Sequence, residues 1–459
     1  AERAQEAGAP FLNAGVGSNE AFELVGGQSL DITCNADTWR EALAEAEQGL
    51  RQALEYGFQQ AELDEELADW RLGLDEAIER EATRASGAYV SALLNAASGD
   101  SVPRTATVNA EIMRPALDAV TVDACHAALR EAWGRGNLSL VSMGNLDLGE
   151  TAVDQLREAY EANRAVAVDA PEVIEEAVFA YASSPEDAGE ISERVHLEDL
   201  DAHLVTFANG VRLNVKRTDF KERQIIVQAR LGEGAMALDP SMAAPLSMLA
   251  TMGDLSSMGV GEHDQDALRR VTAGRQVGVG LGVGDDRVSL SGGTTPDDLL
   301  MQLELLAAYV SDPGWRDETL TQARDTIVPL IFQQMQFQLA GPMVMEFMPA
   351  LHGGDPRFGL PEQEDLAAAG MDGIRAWLAP QLSKGALEVT VVGDLDVEVA
   401  IAAAAQTLGA LPPRRGLRDF ADNRQVDLVP AVRQSHEVQT MVPGGQVQLF
   451  FPTTDGMDP

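Results

Sequence analysis

The chain has 459 residues, 45% of them apolar, and a formal net charge of −40 from 33 basic and 73 acidic side chains. Such an excess of negative charge argues against nucleic acid or an anionic membrane as a partner. The length and apolar content predict about three folded domains. No apolar run approaches the roughly 18 residues that a membrane-spanning helix requires.

The two cysteines, Cys34 and Cys125, are too few for a structural zinc knuckle or a disulfide framework. Cys125 shares an apolar helical stripe with Val122, Leu129 and Trp133. This pattern predicts a thiol that is buried and unreactive in the folded state.

In chain order, the predicted elements of the first part return in the second part. The matched landmarks are a strand at 29–34 and 288–291, a helix start at 37–39 and 295–298, a turn at 56–58 and 313–315, a helix start at 121–125 and 370–374, and a strand with its turn at 138–147 and 387–396. Chance matches between short apolar patterns would not preserve this order, so an internal repeat is indicated. We therefore expect residues 22–147 and 281–396 to share one fold. Thr38 and Glu41 have the spacing of a capping box at the first of these helices.

Strands joined by hairpins, with helices grouped after them, predict an α+β fold whose antiparallel sheets are covered by helices on one face. We expect the rear part of one unit at 1–165, an acidic and exposed linker at 166–201, a complete unit at 202–411, a second linker at 412–433, and the start of a third unit at 434–459. Asn209-Gly210 suits a tight type I′ turn at the opening of the complete unit. Residues 445–452 are predicted to form a strand, and the end of the sequence soon after it indicates a fragment.

The complete unit opens with the Asn-Gly hairpin, a second strand at 225–230, a bend at Gly232 and then a helix-like stretch at 244–252. This order resembles the opening of a domain in the pitrilysin/insulinase family of zinc metallopeptidases. In catalytic copies, the resemblance implies an inverted zinc motif, H-x-x-E-H, on that helix. Here the two histidine positions hold Ser247 and Thr251, and the glutamate position holds Ala250. None of these side chains ligates zinc or acts as a base near neutral pH.

Further landmarks at 351–357 and 391–396 extend the resemblance over nearly the whole chain. It implies the metallopeptidase-like, ferredoxin-related α+β fold, with four related domains that close as two halves around a chamber. It is nearest to the large bacterial single-chain members, which are usually exported to the periplasm. Their zinc ligands lie in a first domain that would precede Ala1, so Zn²⁺ is expected there and no cofactor in this chain. No catalytic or metal-binding residue is carried over onto this sequence, and substrate-binding residues stay unassigned.

Four stretches invite other interpretations. The alternating glycines at 277–284 could suggest a nucleotide loop, but their period of two favours a strand with one face free of side chains, which leaves room for a peptide to dock. Glu262-His263 is interpreted as a turn before a helix, and residues 352–357 as a structural turn. Asp123 and His126 share a helix face without a third ligand.

We therefore expect the non-catalytic central portion of a zinc metalloendopeptidase, inactive by itself, whose intact parent encloses a polypeptide substrate. The alternative is a catalytically inactive homologue that acts as a peptide-binding or scaffold protein. The six histidines are expected to be scattered, so no zinc site is predicted in this chain.

Overall fold

The computed structural model describes residues 9–21, 25–99, 101–134, 136–144, 146–174, 178–317, 320–321, 323–416, 426–439 and 444–451. The chain divides into two compact units. Unit 1 comprises Ala1–Phe179 and Asp266–Arg275, and unit 2 comprises Ala180–Gln265 and Gln276–Pro459. Among the described residues, no helix is both long enough and apolar enough to cross a membrane.

Unit 1 consists of a two-stranded antiparallel hairpin followed by helices. Its elements are β1 (Asn13–Ala21), β2 (Val25–Thr33), α1 (Trp39–Tyr56), α2 (Gln60–Glu79), α3 (Ser86–Ser98), α4 (Ala106–Asp118), α5 (Val122–Gly134) and α6 (Ala152–Arg164). Helices α2 and α4 pack through an apolar cluster of four buried residues, Leu67, Leu74, Ala110 and Leu117. Burial of these faces, rather than the strand pair, supplies the core of this unit.

The predicted capping box at Thr38 is wrong. The Thr38 hydroxyl donates to the carbonyl oxygen of Pro10 at 2.7 Å and makes no cap bond. A capping box forms one helix later, where the backbone N–H of Gln59 donates to the Glu62 carboxylate at 2.6 Å. Thr38–Glu41 and Gln59–Glu62 both have the spacing of a capping box. The long-range hydrogen bond to Pro10 explains why the Thr38 hydroxyl is not used as a cap.

Unit 2 is built on one large sheet. Its elements in chain order are β3 (Ile191–Leu197), β4 (Ala202–Phe207), β5 (Arg212–Arg217), β6 (Ile225–Leu231), α7 (Pro240–Met252), α8 (Gln265–Val271, of which all but the first residue groups with unit 1), β7 (Gly280–Val283), β8 (Val288–Thr294), α9 (Leu299–Ser311), α10 (Val328–Gln336), α11 (Met348–Leu351), α12 (Gln363–Ala368), α13 (Met371–Lys384), β9 (Leu387–Gly393) and α14 (Val397–Thr407). The seven strands lie in the order β3-β4-β5-β9-β6-β8-β7.

The predicted α+β class is confirmed, with one refinement. Strand β5 pairs with β9 in parallel, and every other described pair in this sheet is antiparallel, so the sheet is mixed. Along β6 and β9 every second side chain is buried, which places one face of the sheet in the core. The opposite face is polar and solvent-accessible, as expected for a sheet covered on one side.

The Asn209-Gly210 turn exists, but it is not type I′, which requires positive φ at two successive residues. Gly210 has φ +86°, and Asn209 is not among the residues with positive φ. The Phe207 N–H donates to the Val211 carbonyl at 2.9 Å, so the loop has three residues with glycine in the left-handed position. The Asn209 side chain explains the difference, because its amide donates to the carbonyls of Leu408, Gly409 and Leu411 at 2.9–3.0 Å.

The order of elements in the two units supports the predicted internal repeat, with one exception. Hairpin β1–β2 followed by α1 corresponds to hairpin β7–β8 followed by α9, and α5 and α6 correspond to α13 and α14. The predicted strand at 138–143 is wrong, because this segment is extended but belongs to no strand. Its counterpart β9 pairs with β5 on one side and β6 on the other. Unit 1 has no described counterparts of those two neighbours, and a strand forms only when it is paired.

The acidic segment at 166–201 is extended, as expected, but it is held along much of its length. Its first part lies along unit 1, where Arg51, Gln52 and Tyr56 donate to backbone carbonyls of residues 166–169. Its second part is anchored in unit 2, where both the N–H and the hydroxyl of Ser183 donate to the Glu304 carboxylate at 2.7 Å. Strand β3 also lies within this segment and forms the outer edge of the sheet.

The predicted strand at 445–452 does not form in residues 444–451, and Pro452 lies outside the described residues. Val447, Leu449 and Phe451 are each more than three-quarters exposed. Phe450 packs its ring 5.1 Å from that of Phe347. As at 138–143, no strand in the described part of the chain lies beside this alternating apolar pattern to pair with it.

Candidate site on the degenerate-motif helix

Helix α7 ends at Met252, as the sequence predicts, but it begins at Pro240, four residues before the predicted stretch at 244–252. The Asp239 carboxylate accepts hydrogen bonds from the Ser241 hydroxyl at 2.7 Å and the Ser241 N–H at 3.0 Å, and these bonds lower the pKa of Asp239. Pro240 stands in the first turn, where its missing N–H costs nothing, and the helix ends at Gly253. These signals place the motif positions on a regular helix.

The three positions that would carry H-x-x-E-H are spaced i, i+3 and i+4, so they lie on one face of α7. Thr251 is exposed, Ser247 is half-buried and Ala250 is only 2% exposed. The Thr251 hydroxyl donates to the Ser247 carbonyl at 2.8 Å, and the Ser247 Oγ is buried without a hydrogen-bond partner. A methyl group and two aliphatic hydroxyls provide neither metal ligands nor a general base.

The rest of α7 serves packing. Leu246 and Leu249 are buried, and Met248 and Met252 lie against a cluster of Val328, Phe332 and Leu366. The three motif positions thus lie on a helix whose other side chains pack in the core.

A cavity of about 520 Å³ opens beside α7 and α13 in unit 2. Its wall is fixed by Gln381, whose Oε1 accepts from the N–H groups of Glu233 and Gly234 at 2.7 and 3.0 Å, and by Trp377, whose indole N–H donates to the Gly234 carbonyl at 3.0 Å. Gln381 and Trp377 are both buried. The cavity is mainly apolar with a few fixed polar groups, which suits an apolar side chain rather than a metal ion.

The helix-free face of the sheet presents polar side chains. Arg212 forms an ion pair with Glu388, whose carboxylate also accepts from the Asn214 amide at 2.8 Å. At one end of the sheet, β7 pairs with β8 and has no described strand on its other side. The prediction of a glycine-containing strand at 277–284 is confirmed, although only Gly280–Val283 are paired.

The remaining candidates have structural roles among the described residues. His126 hydrogen-bonds through Nε2 to the Leu54 carbonyl at 2.9 Å, which is a bond within the unit 1 core rather than a site. His352 stacks on Phe358 with ring centroids 3.7 Å apart, next to the Asp355–Arg357 ion pair. The interpretation of 352–357 as a turn agrees with this, since Gly353 and Gly354 have positive φ.

Cys125 is less buried than predicted. It is half-buried in α5, a helix without a fully buried residue, whereas its counterpart Ile374 in α13 is completely buried. Helix α13 packs against α7 and α9, while α5 contacts only α1 and β2 closely. The apolar stripe of α5 was predicted correctly, but fewer elements pack against it than against the corresponding stripe of α13.

Two of the six histidines do come together, contrary to the expectation that all are scattered. His196 on β3 and His203 on β4 stack with ring centroids 4.4 Å apart, and Asp201 lies beside them. They are the one group of three possible metal ligands that converges among the described residues. The sequence contains a signal that would have found them. The acidic turn Glu198–Asp201 lies between two short apolar-polar alternations, so a hairpin would place His196 opposite His203.

Comparison with known proteins was informative only at the level of structure. No protein-family profile matches the sequence, and no curated protein sequence matches it significantly. The crystal structure of a variant of the ferredoxin protease FusC in complex with Arabidopsis ferredoxin matches with a TM-score of 0.54 at 13% identity. It covers 91% of this chain and 46% of that chain.

Two weaker structural matches were also found. The periplasmic protease PqqL from Escherichia coli has a TM-score of 0.48 at 15% identity and covers 92% of this chain and 46% of that chain. A peptidase M16 inactive domain from Pseudomonas fluorescens has a TM-score of 0.39 at 19% identity and covers 48% of this chain and 53% of that chain. Because both of these TM-scores lie below 0.5, the fold is assigned from the match to FusC alone.

The chain has the fold of the matched part of the ferredoxin protease FusC, in agreement with the resemblance of its sequence to pitrilysin-type peptidases. It spans less than half of the FusC chain that it matches.

Proposed function

We propose that the chain is a non-catalytic portion of a pitrilysin-type zinc endopeptidase and contributes part of the wall around an enclosed polypeptide substrate. The proposal rests on one observation. In a unit with this fold, the helix that the sequence resemblance aligns with a zinc-binding helix carries Ser247, Ala250 and Thr251 at the three motif positions. The zinc motif then belongs to polypeptide outside these 459 residues.

Two surfaces of unit 2 support a role in enclosing polypeptide. The helix-free sheet face offers paired polar groups such as Arg212 and Glu388, which can exchange hydrogen bonds with a passing peptide. Strand β7 offers the unpaired N–H and C=O groups of an edge to an extended chain. In this proposal both surfaces bind without cleaving, and a periplasmic location is an expectation from the resemblance in sequence.

The direct test is activity of the purified chain. We expect no chelator-sensitive hydrolysis of fluorogenic peptides. We also expect none from the triple variant Ser247→His, Ala250→Glu, Thr251→His, because the downstream ligand and the groups that orient the ligands would still be absent. Chelator-sensitive cleavage by the unmodified chain, lost on Ser247→Ala, would show that the site has been misread.

The alternative function is that of an inactive homologue that binds peptides or acts as a scaffold. The edge position of β7 favours it, because Gly280 is exposed and β7 has no described strand on its outer side. A Cβ at Gly280 would lie 3.6 Å from the Ser291 hydroxyl, an ordinary contact, so Gly280→Lys should fold and block the edge. The sequence of the complete reading frame separates the alternatives. An upstream H-x-x-E-H with a downstream glutamate supports the peptidase, and its absence supports the scaffold.

A further inference from the structure

The turn end of the β3–β4 hairpin, at the edge of the sheet in unit 2, gathers three possible metal ligands. His196 and His203 are directly opposed in the register of the two strands. Directly opposed side chains project from the same face, so both imidazoles stand side by side, with their ring planes within 8° of parallel. The position of these ligands is therefore set by backbone pairing.

The third ligand comes from the turn. Asp201 has φ +46°, a left-handed conformation that turns the chain back into β4. Its Oδ1 lies 2.9 Å from Nε2 of His196. One ligand atom from each of the three residues lies within 4.8 Å of the other two.

The separation between His196 and Asp201 already suits a bound ion, and the other separations are at most 4.8 Å. Metal–nitrogen and metal–oxygen distances of about 2.0–2.2 Å place neighbouring ligand atoms roughly 3–3.5 Å apart in a tetrahedral site. The contraction still needed is therefore less than about 2 Å, a distance that rotation of exposed side chains can cover. His196 and Asp201 have the room for it, since their side chains are 44% and 78% exposed.

The cation that contacts His203 is already paired with a carboxylate. Arg194 lies two residues before His196 on the same strand face, and its guanidinium makes two hydrogen bonds of 2.6 and 3.0 Å to the Glu398 carboxylate. This pairing lowers the pKa of Glu398. The contact from Arg194 to Nδ1 of His203 is 3.5 Å long, at the limit of a hydrogen bond, and is easily given up.

We propose that His196, His203 and Asp201 form a binding site for a divalent transition-metal ion such as Zn²⁺, Ni²⁺ or Co²⁺. Two imidazoles and one carboxylate favour these metals over Mg²⁺ and Ca²⁺, which prefer oxygen ligands. The turn carboxylates of Glu198 and Asp199 add negative potential that attracts a cation. A bound ion would link β3 to β4 and hold the edge of the sheet. The site is separate from the motif face of α7 and does not depend on the proposed function.

The test uses the full chain without an affinity tag and Zn²⁺ as the probe in calorimetry. We expect His196→Ala and His203→Ala each to weaken binding at least tenfold, and Asp201→Asn to weaken it severalfold. Asn at position 201 keeps the left-handed backbone accessible, so the last change removes the ligand charge alone. Asp199→Asn is the matched control, because it removes one charge from the same turn outside the converging group and should change affinity by less than twofold.

A second readout needs no variant. Zn²⁺ should protect His196 and His203 of the unmodified chain from carbethoxylation by diethyl pyrocarbonate, and it should leave the modification of His436 unchanged. Magnesium at the same concentration should protect neither. If the histidine variants bind Zn²⁺ like the parent, if Asp199→Asn weakens binding as much as Asp201→Asn, or if neither histidine is protected, the ion is held diffusely by the acidic surface and the proposal is overturned.

Discussion

Single residues decide several features that pattern alone leaves open. Asn209 would have suited a type I′ turn. Its side-chain amide instead donates hydrogen bonds to carbonyl groups just after α14, and the turn has three residues. His196 and His203 form a pair only because β3 and β4 are in register. The lack of metal-ligating side chains at 247, 250 and 251, by contrast, can be read directly from the sequence. Local chemistry is predictable where it involves one helix, and less so where it depends on distant partners.

The Asn209 amide gives a first prediction at this scale. Asn209→Ala should lower the free energy of unfolding by about 2 kcal/mol, because partly buried carbonyls at the end of α14 lose their donor. Urea denaturation measures the change. Asn214→Ala, which removes a hydrogen bond from the open sheet face where water can replace it, should cost less than about 1 kcal/mol. Equal losses for the two variants would show that the three carbonyls do not depend on this amide.

The Asp355–Arg357 pair gives a pH-dependent prediction. Hydrogen bonds from Arg357 lower the pKa of Asp355 in the folded state. The stabilisation is therefore fully present above the unfolded carboxyl pKa of about 3.9 and is lost as the pH falls through the lower folded value. The difference in urea midpoint between the parent and Asp355→Asn should be constant from pH 7 to 5 and shrink below pH 4.

The matched control is Asp219→Asn, which changes an exposed loop carboxylate. Its urea midpoint should stay close to that of the parent over the same range. A difference for Asp355→Asn that persists unchanged to pH 2 would mean that the pair does not contribute through its charge.

At the scale of whole elements, sequence periodicity predicted the helices well, because a helix makes its backbone hydrogen bonds within its own segment. The helices of both units lie close to the positions that their apolar stripes indicate. The alternating patterns of β6 and β9 predicted strands correctly, and in the structure each of these strands is paired on both sides. The segments at 138–143 and 445–451 show the same alternation and do not form strands. A strand depends on a neighbour, and no local pattern reveals whether the neighbour is present.

Hydrogen exchange tests this difference. Amides of Leu138, Leu140 and Val141 should exchange within seconds at neutral pH, because they have no ladder bonds and their side chains are exposed. Amides of the matched strand β9, such as Val389 and Val391, should be protected to nearly the global free energy of unfolding. Comparable protection in the two segments would require a strand partner for 138–143.

At the scale of the whole molecule, the fold follows a repeated plan that the sequence reveals through its ordered landmarks. The predicted fold class and the likeness to pitrilysin-type peptidases are confirmed by the match to FusC. The first boundary between the units falls between Phe179 and Ala180, within the acidic segment, while Asp266–Arg275 also group with unit 1 although they lie inside the region predicted as one complete unit. The acidity of the segment at 166–201 indicated a linker, but composition alone does not show which of its residues are hydrogen-bonded to a folded unit.

The two ends of the seven-stranded sheet differ, and this affects how copies of the molecule behave in concentrated solution. Strand β3 carries Glu193, Arg194 and His196 and has an irregular register at its start, features that discourage pairing with another chain. Strand β7 carries only Gly280, Leu281, Gly282 and Val283 and has no such protection. At low ionic strength the net charge of −40 keeps copies apart. Salt removes that repulsion, so colloidal stability should fall as salt rises.

Sedimentation velocity should show reversible dimers through β7 above about 0.5 M NaCl, where the Debye length is only a few ångströms. The variant Gly280→Lys should stay monomeric under the same conditions. Dimers in both proteins, or in neither, would mean that β7 is not the adhesive edge.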